Sequence, residues 1–265
     1  MNTKLGIQIF GNVKNMLKEH RSSRRPIIKF GVSSLYFLRN SANTIRRFWF
    51  DKEFRSIVFM QLTNSKNVHQ TTPYTYMDRY PVIFSACQNY LDGKQNLRIL
   101  SYGCSTGEEV LTLRKYFPEA HIVGAEINKR SLKICRNLSI DDKITFVHSE
   151  PNEIQKHGPY DAIFCMAVLQ RKPHYIEEKG IRSLKKIYPF EKFEEQILEL
   201  DQLIKPEGLL IIHFTQYSFK DTAIASKYTA LGHYTQGSSC LLFDKNSNLI
   251  KNPFFPKSIY KKQKR

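Results

Sequence analysis

From Leu97 onward, short runs rich in Val, Ile and Leu alternate with amphipathic stretches about a dozen residues long. Each run must hide its apolar side chains, and an alternating strand–helix chain does so by laying helices on both faces of a mostly parallel sheet. The spacing predicts strands at Leu97–Tyr102, His121–Glu126, Ile144–His148, Tyr160–Cys165, Leu209–Phe214 and Ser239–Phe243. Helices are expected at Glu108–Tyr116, Lys129–Leu138 and Phe193–Ile204, the last closed by the turn Lys205-Pro206-Glu207-Gly208. This order predicts an α/β fold with a doubly wound, Rossmann-like sheet that binds its ligand outside the carboxyl ends of the first strands.

Two stretches stand outside that plan. Residues 1–70 read as a basic, helical N-terminal extension, with helices near Gly6–Glu19 and Val32–Phe50, ahead of a main domain at 71–250 and a basic C-terminal tail at 251–265. Arg171–Phe190 falls between the fourth strand and the next helix, where loops at the carboxyl edge cover substrates.

Charge separates the ends from the middle. The chain carries 41 Lys and Arg against 24 Asp and Glu. Residues 1–60 hold 12 basic and 3 acidic side chains, residues 251–265 hold 6 basic and none acidic, and the stretch between is nearly neutral. Attraction to nucleic acid or an anionic membrane therefore belongs to the ends, not to a central cleft. Residues 4–30 alternate apolar and basic positions, as a helix lying on an anionic membrane would, and Lys257–Arg265 is expected to be a mobile cationic run. Cys87, Cys104, Cys135, Cys165 and Cys240 are an odd set without CxxC spacing, so neither a disulfide framework, a zinc knuckle nor any other metal site is expected. With no apolar run near the roughly 20 residues of a bilayer span, a cytoplasmic protein with peripheral membrane contact is the expectation.

The sharpest local signal is Tyr102-Gly103-Cys104-Ser105-Thr106-Gly107-Glu108-Glu109, where a strand enters a turn with two glycines four apart and then a helix. Backbone at Gly103 and Gly107 can approach a ligand where a Cβ would collide, and Ser105 and Thr106 can cap the helix and offer hydroxyls. Two acids at the helix start disfavour a pyrophosphate but attract the ammonium of an amino-acid moiety, so S-adenosylmethionine fits better than NAD or ATP. Glu126, closing the second strand, is placed to accept hydrogen bonds from a ribose diol. Glu150, after the third strand, is a candidate for the adenine amino group.

Together these features resemble the class I S-adenosylmethionine-dependent methyltransferases. Gly103–Glu109 is similar to the GCSTGEE loop of the chemotaxis-receptor glutamate methyltransferases, the CheR-type branch. Tyr160–Leu169 resembles that branch's FDxIFCRNVL strand, Leu203–Gly208 its LLKPGG turn, and Thr75–Phe84 its TxFFRDPxxF segment. The likeness covers about residues 71–215 and implies a Rossmann-like methyltransferase domain. It also implies that Gly103–Gly107 with Glu108 hold the cofactor's methionine part, Glu126 its ribose, and Arg79 with Thr75 its carboxylate, while Met166 stands at the cofactor's edge. An arginine suits that role because it can bind a carboxylate with two hydrogen bonds. Where the branch has Arg-Asn after the cysteine, this chain has Met166-Ala167, so the implied acceptor site is altered.

Methyl transfer requires the acceptor aligned with the sulfonium methyl and, for weak nucleophiles, a base. Candidates at the same edge are His174 and Tyr175 in the insertion and His213 and Tyr217 after the fifth strand. The expected function is methyl transfer to a small molecule or a protein carboxylate. An RNA methyltransferase holding RNA with its basic ends, or a catalytically silent scaffold, are the alternatives.

Overall fold

The computed structural model describes residues 41–237 and 240–264. The chain divides into two units, Met1–Arg55 and Ser56–Arg265. Of the first, residues 41–50 are helical, which agrees with the end of the helix expected at Val32–Phe50; the helix expected at Gly6–Glu19 lies outside the described residues. At the end of this helix the Asp51 carboxylate accepts the Glu53 and Phe54 backbone N–H groups.

Residues of the second unit form a sheet that has seven strands among the described residues. They are β1 (Arg98–Tyr102), β2 (His121–Glu126), β3 (Ile144–His148), β4 (Tyr160–Met166), β5 (Ile204–His213), β6 (Tyr228–Ala230) and β7 (Ile259–Lys262). Their order is β3-β2-β1-β4-β5-β7-β6, with β1 to β5 parallel and β7 antiparallel to both neighbours. The sheet is therefore α/β and Rossmann-like. Both faces are covered: Leu100, Ile163 and Cys165 enter one apolar cluster, while their neighbours Ile99, Ala162 and Phe164 enter the other. Burial on both sides is why these strands read as continuous apolar runs instead of alternating ones.

Helix α1 (Glu108–Tyr116) follows β1, and α2 (Lys129–Cys135) follows β2 with Asn128 as its cap, the side chain accepting the Arg130 and Ser131 N–H groups. Ahead of β5, α3 (Phe190–Leu203) buries Phe190, Phe193, Ile197 and Leu200, a spacing that puts one face on the sheet. The expected turn at Lys205–Gly208 is absorbed into the start of β5, where the pairing with β4 slips between Tyr160 and Ala162 and Glu207 takes a positive φ of 59°. A bulge accommodates the same residues without breaking the strand.

The C-terminal stretch departs most from expectation. Of the strand expected at Ser239–Phe243, Ser239 lies outside the described residues and 240–243 form no strand, Phe243 making an isolated bridge to Leu249. In its place β7, drawn from the run expected to be a mobile tail, inserts between β5 and β6. Its charges are answered inside the fold: Lys262 lies 2.9 Å from Asp201, which also takes the Tyr228 hydroxyl at 2.8 Å, and Lys261 and Lys264 face Glu207. Ile259 and Tyr260 are buried. Among the described residues no helix is long and apolar enough to cross a membrane.

Candidate active site

Strand order reverses between β1 and β4, and at such a switch point the loops leaving the two carboxyl ends diverge to open a crevice. A cleft of about 930 Å³, open mouth included, lies there. Its floor comes from Tyr102–Ser105 after β1, Glu126–Asn128 after β2, Ser149 after β3 and Met166–Val168 at the end of β4.

The glycine turn brings the first two of these together. Gly103, at φ +78°, donates its N–H to the Ala125 carbonyl at 2.8 Å, and Cys104 donates to the same oxygen. A Cβ at Gly103 would stand 2.5 Å from Val168 Cγ2, so only glycine lets the β1 loop and the β4 end meet at this spacing. Beyond it, Ser105 donates its N–H to Glu126 Oε2 at 2.8 Å, while Asn128 donates to Oε1 at 2.6 Å. Both carboxylate oxygens are thereby fixed, and each keeps acceptor capacity toward the cleft. Burial pushes the Glu126 carboxyl up to about 7 against the lowering effect of those N–H donors.

Gly107 plays a different part. It takes φ +101° at the start of α1, and a Cβ there would meet Leu138 at 2.6 Å behind the loop, away from the cleft. The two acids that follow separate. Glu108 is turned to Thr106, whose hydroxyl it accepts at 2.7 Å, and neither residue lines the cleft. Glu109 does line it: its Oε1 accepts Ser101 Oγ at 2.7 Å, and burial raises the carboxyl to about 7 despite that bond and the charge of Arg79.

The wall opposite the floor is the segment 67–80, including Thr75 and Arg79. Arg79 lies near the rings of Tyr74, Tyr76 and Tyr80, at 5.2, 5.7 and 5.1 Å, and donates to the Tyr74 carbonyl. His69 anchors the start of this wall. Gln196 Oε1 can only accept, so His69 Nε2 donates to it at 3.1 Å, and Nδ1 accepts the Tyr188 hydroxyl at 2.7 Å. Gln196 Oε1 also takes the Tyr102 hydroxyl, joining wall, β1 and α3 in one buried network. Burial pushes His69 down to about 3, and it is neutral at physiological pH. Two cleft-lining hydroxyls, Ser105 Oγ and Tyr80 Oη, are buried without a hydrogen-bond partner among the described residues. Buried polar atoms are nearly always hydrogen-bonded, so two orphans in one cleft mark where a polar ligand completes the site.

The methyltransferase-domain family matches residues 93–249, more than half of the chain, and the match takes in the glycine turn, Glu126 and the end of β4. The chain belongs to this family. Solved structures similar to this methyltransferase-family chain share little sequence with it. The plantazolicin methyltransferase BpumL, in complex with SAH, is 16% identical over 68% of this chain and 60% of that one, with a TM-score of 0.39. CalS10, an amino pentose methyltransferase from Micromonospora echinaspora bound to SAM, is 15% identical over 56% of this chain and 53% of that one, with a TM-score of 0.39. Precorrin-6y C5,15-methyltransferase from Geobacter metallireducens GS-15 is 16% identical over 52% and 66% of the two chains, with a TM-score of 0.36. This methyltransferase-family chain thus spans about 60% of the length of BpumL. No curated protein matches its sequence.

The remaining sequence candidates lie apart from the cleft lining. Glu150 is exposed, its carboxylate 3.1 Å from His148 Nδ1; its neighbour Ser149 lines the cleft instead. His174 and Tyr175 are exposed on the short helix Pro173–Glu178, with Lys172 over the Tyr175 ring. Tyr217 is fully buried, donating to the Tyr188 carbonyl at 2.5 Å and accepting from Ser247 Oγ at 3.0 Å, a core position. His213 is buried against Tyr80, its Nδ1 2.8 Å from Ser258 Oγ, and burial lowers it to about 4. Nor does Arg171–Phe190 cover the cleft: Leu184 and Tyr188 go into the core, and the cover is the 67–80 segment. Glu109, Tyr80 and His69 are among the cleft residues absent from the sequence-predicted site. For Glu109 the pairing with Ser101, eight residues back, was the available signal; Tyr80 and His69 carried none. Among the described residues no cluster of His, Cys, Asp and Glu could hold a metal ion.

Proposed function

We propose that the protein is an S-adenosylmethionine-dependent methyltransferase acting on a small molecule or on a protein or peptide carboxylate. The observation that carries this reading is the cleft at the strand-order switch, where a buried Glu126 carboxylate and the Ser105 hydroxyl on the floor face the Tyr80 hydroxyl on the wall, both hydroxyls without a partner among the described residues. The residues fit the cofactor. Glu126 offers acceptor capacity to a ribose diol, Ser105 Oγ and the backbone of Gly103–Ser105 offer polar contact to the amino-acid part, and Glu109 offers a carboxylate to its ammonium. Thr75 and Arg79, on the facing wall, are in place for its carboxylate. The cofactor supplies an electrophilic methyl group on a sulfonium.

What the chain itself contributes is orientation. Ala167 and Val168 line the cleft at the end of β4 without an acid or base, and His213, behind Tyr80, is committed to Ser258. Such a site suits an acceptor that arrives already nucleophilic, as a carboxylate does, and gains rate from alignment and exclusion of water. The finer likeness to the CheR-type branch rests on the Gly103–Glu109 loop and the segments around it, and the matched family is broader.

The test is transfer of a labelled methyl group from S-adenosylmethionine to small-molecule and peptide fractions of a cell extract. Label should enter one of these fractions with the wild-type protein and not with Glu126→Ala. Absence of label from every fraction, with saturating cofactor, contradicts the reading, and label in RNA alone replaces the acceptor class.

A further inference from the structure

A second recess, about 530 Å³ with its mouth, shares no lining residue with the cleft but borders the same wall segment. Gln61, Ser65, Val68, Tyr188, Arg171 and Lys192 line it. Its two cations are half-buried, and neither enters an ion pair with a described residue. Among the described residues each makes a single side-chain hydrogen bond: Arg171 Nη1 donates to the His69 carbonyl at 3.1 Å, and Lys192 Nζ to the Ser65 carbonyl at 2.8 Å. A guanidinium has five N–H donors and an ammonium three, so most of their donor capacity is left unused by the described residues. Burial lowers both groups, and the Arg171 charge lowers Lys192 further against a smaller raising effect of Glu195.

Arg171 is also held in place. Its backbone N–H donates to Gln216 Oε1 at 2.8 Å, and Gln216 Nε2 donates back to its carbonyl at 3.1 Å, a two-way clamp from a fully buried side chain. Two like charges fixed beside one recess, without a carboxylate between them, are relieved by an anion with oxygens enough for both. We propose that Arg171 and Lys192 form a binding site for a phosphate group, either as free phosphate or as a phosphate monoester. The recess admits a compact dianion, whereas a nucleic-acid strand calls for a track of cations along its backbone. Because the two cations already hold the carbonyls of Ser65 and His69, an anion bound between them braces the start of the wall that covers the cleft.

The experiment is thermal denaturation of the full chain titrated with sodium phosphate, with phosphoserine, and with sodium chloride at matched ionic strength, alongside 31P line widths of the phosphate. Phosphate or phosphoserine should raise Tm saturably, by about 3–5 °C at ten times its Kd, with broadened 31P lines; chloride should not. A response to phosphoserine alone assigns the site to a monoester, and a response to both assigns it to the phosphate group as such. Lys192→Gln should abolish shift and broadening, and Lys186→Gln, at an exposed lysine outside the recess, should keep both. Should Lys192→Gln lose its cooperative transition, Lys192→Arg, which preserves the charge, should keep the shift. A shift that does not saturate, matches chloride or survives Lys192→Gln overturns the proposal, as does RNA binding lost in Lys192→Gln without any response to the two phosphates.

Discussion

Ligand affinity in the cleft should rise with pH through neutrality, and the nucleoside 5′-methylthioadenosine isolates the cause. It carries the ribose and adenine but no amino-acid part, so its own titration does not enter. Burial holds the Glu126 carboxyl at about 7 in the free protein. A ribose diol donates two hydrogen bonds and needs the ionised form. The sign follows: at pH 6 the free protein carries a proton that binding must release, whereas at pH 8 it does not. Roughly one molecule in eleven is ionised at pH 6 and ten in eleven at pH 8, so affinity should increase about tenfold, or about 1.4 kcal/mol. At pH 7 binding should release about half a proton, readable by titration calorimetry in two buffers of different ionisation enthalpy. In Glu126→Gln the dependence should vanish and affinity at pH 8 should drop by about 10- to 100-fold. An affinity that is flat or falls between pH 6 and 8, in a protein that does bind the nucleoside, would refute Glu126 as the ribose acceptor.

Gly103→Ala puts a Cβ 2.5 Å from Val168 at a positive φ; it should cost about 1–3 kcal/mol of stability in denaturant titration and weaken cofactor binding, because Val168 must move. Tyr217→Phe should lower stability by about 1–3 kcal/mol while leaving nucleoside affinity unchanged, since its hydroxyl serves only Tyr188 and Ser247 in the core. Lys262→Met removes one of two cations from the buried Asp201 and should lower Tm by several degrees, by about 1–3 kcal/mol of stability; an unchanged Tm would show that the Lys262–Asp201 pair does not help hold β7 in the sheet.

How much of this was legible in the sequence depends on which force fixes each element. Strands β1 to β4 and helix α1 lie where their apolar runs lie, because burial on both faces leaves no room for polar interruption. Strand β7 was illegible for the opposite reason. Its run Ile259-Tyr260-Lys261-Lys262 reads as charge, and only tertiary partners, Asp201 and Glu207, make the lysines tolerable in a sheet. In the cleft, Gly103, Cys104, Ser105 and Glu126 were visible because backbone constraints tie them to a strand end. The choice between Glu108 and Glu109 was not visible, since it turns on which of two adjacent helix positions faces inward, and Ser101 and Thr106 each claim one. Tyr80 and His69 come from a segment with no periodicity, so long-range contacts alone place them. The candidates His213 and Tyr217 carried suitable chemistry at a suitable edge, yet each is buried and bonded to a partner more than 25 residues away, which local spacing does not reveal.

The most direct measurement is a crystal structure of the protein grown with S-adenosylhomocysteine. The expected density places the nucleoside along the β1 and β2 ends, ribose hydroxyls on Glu126 and amino-acid part against Gly103–Ser105 and Glu109, with Ser105 Oγ and Tyr80 Oη newly paired. Nucleoside density outside this cleft, or a cleft closed by the 67–80 segment when the compound is bound elsewhere, would contradict it.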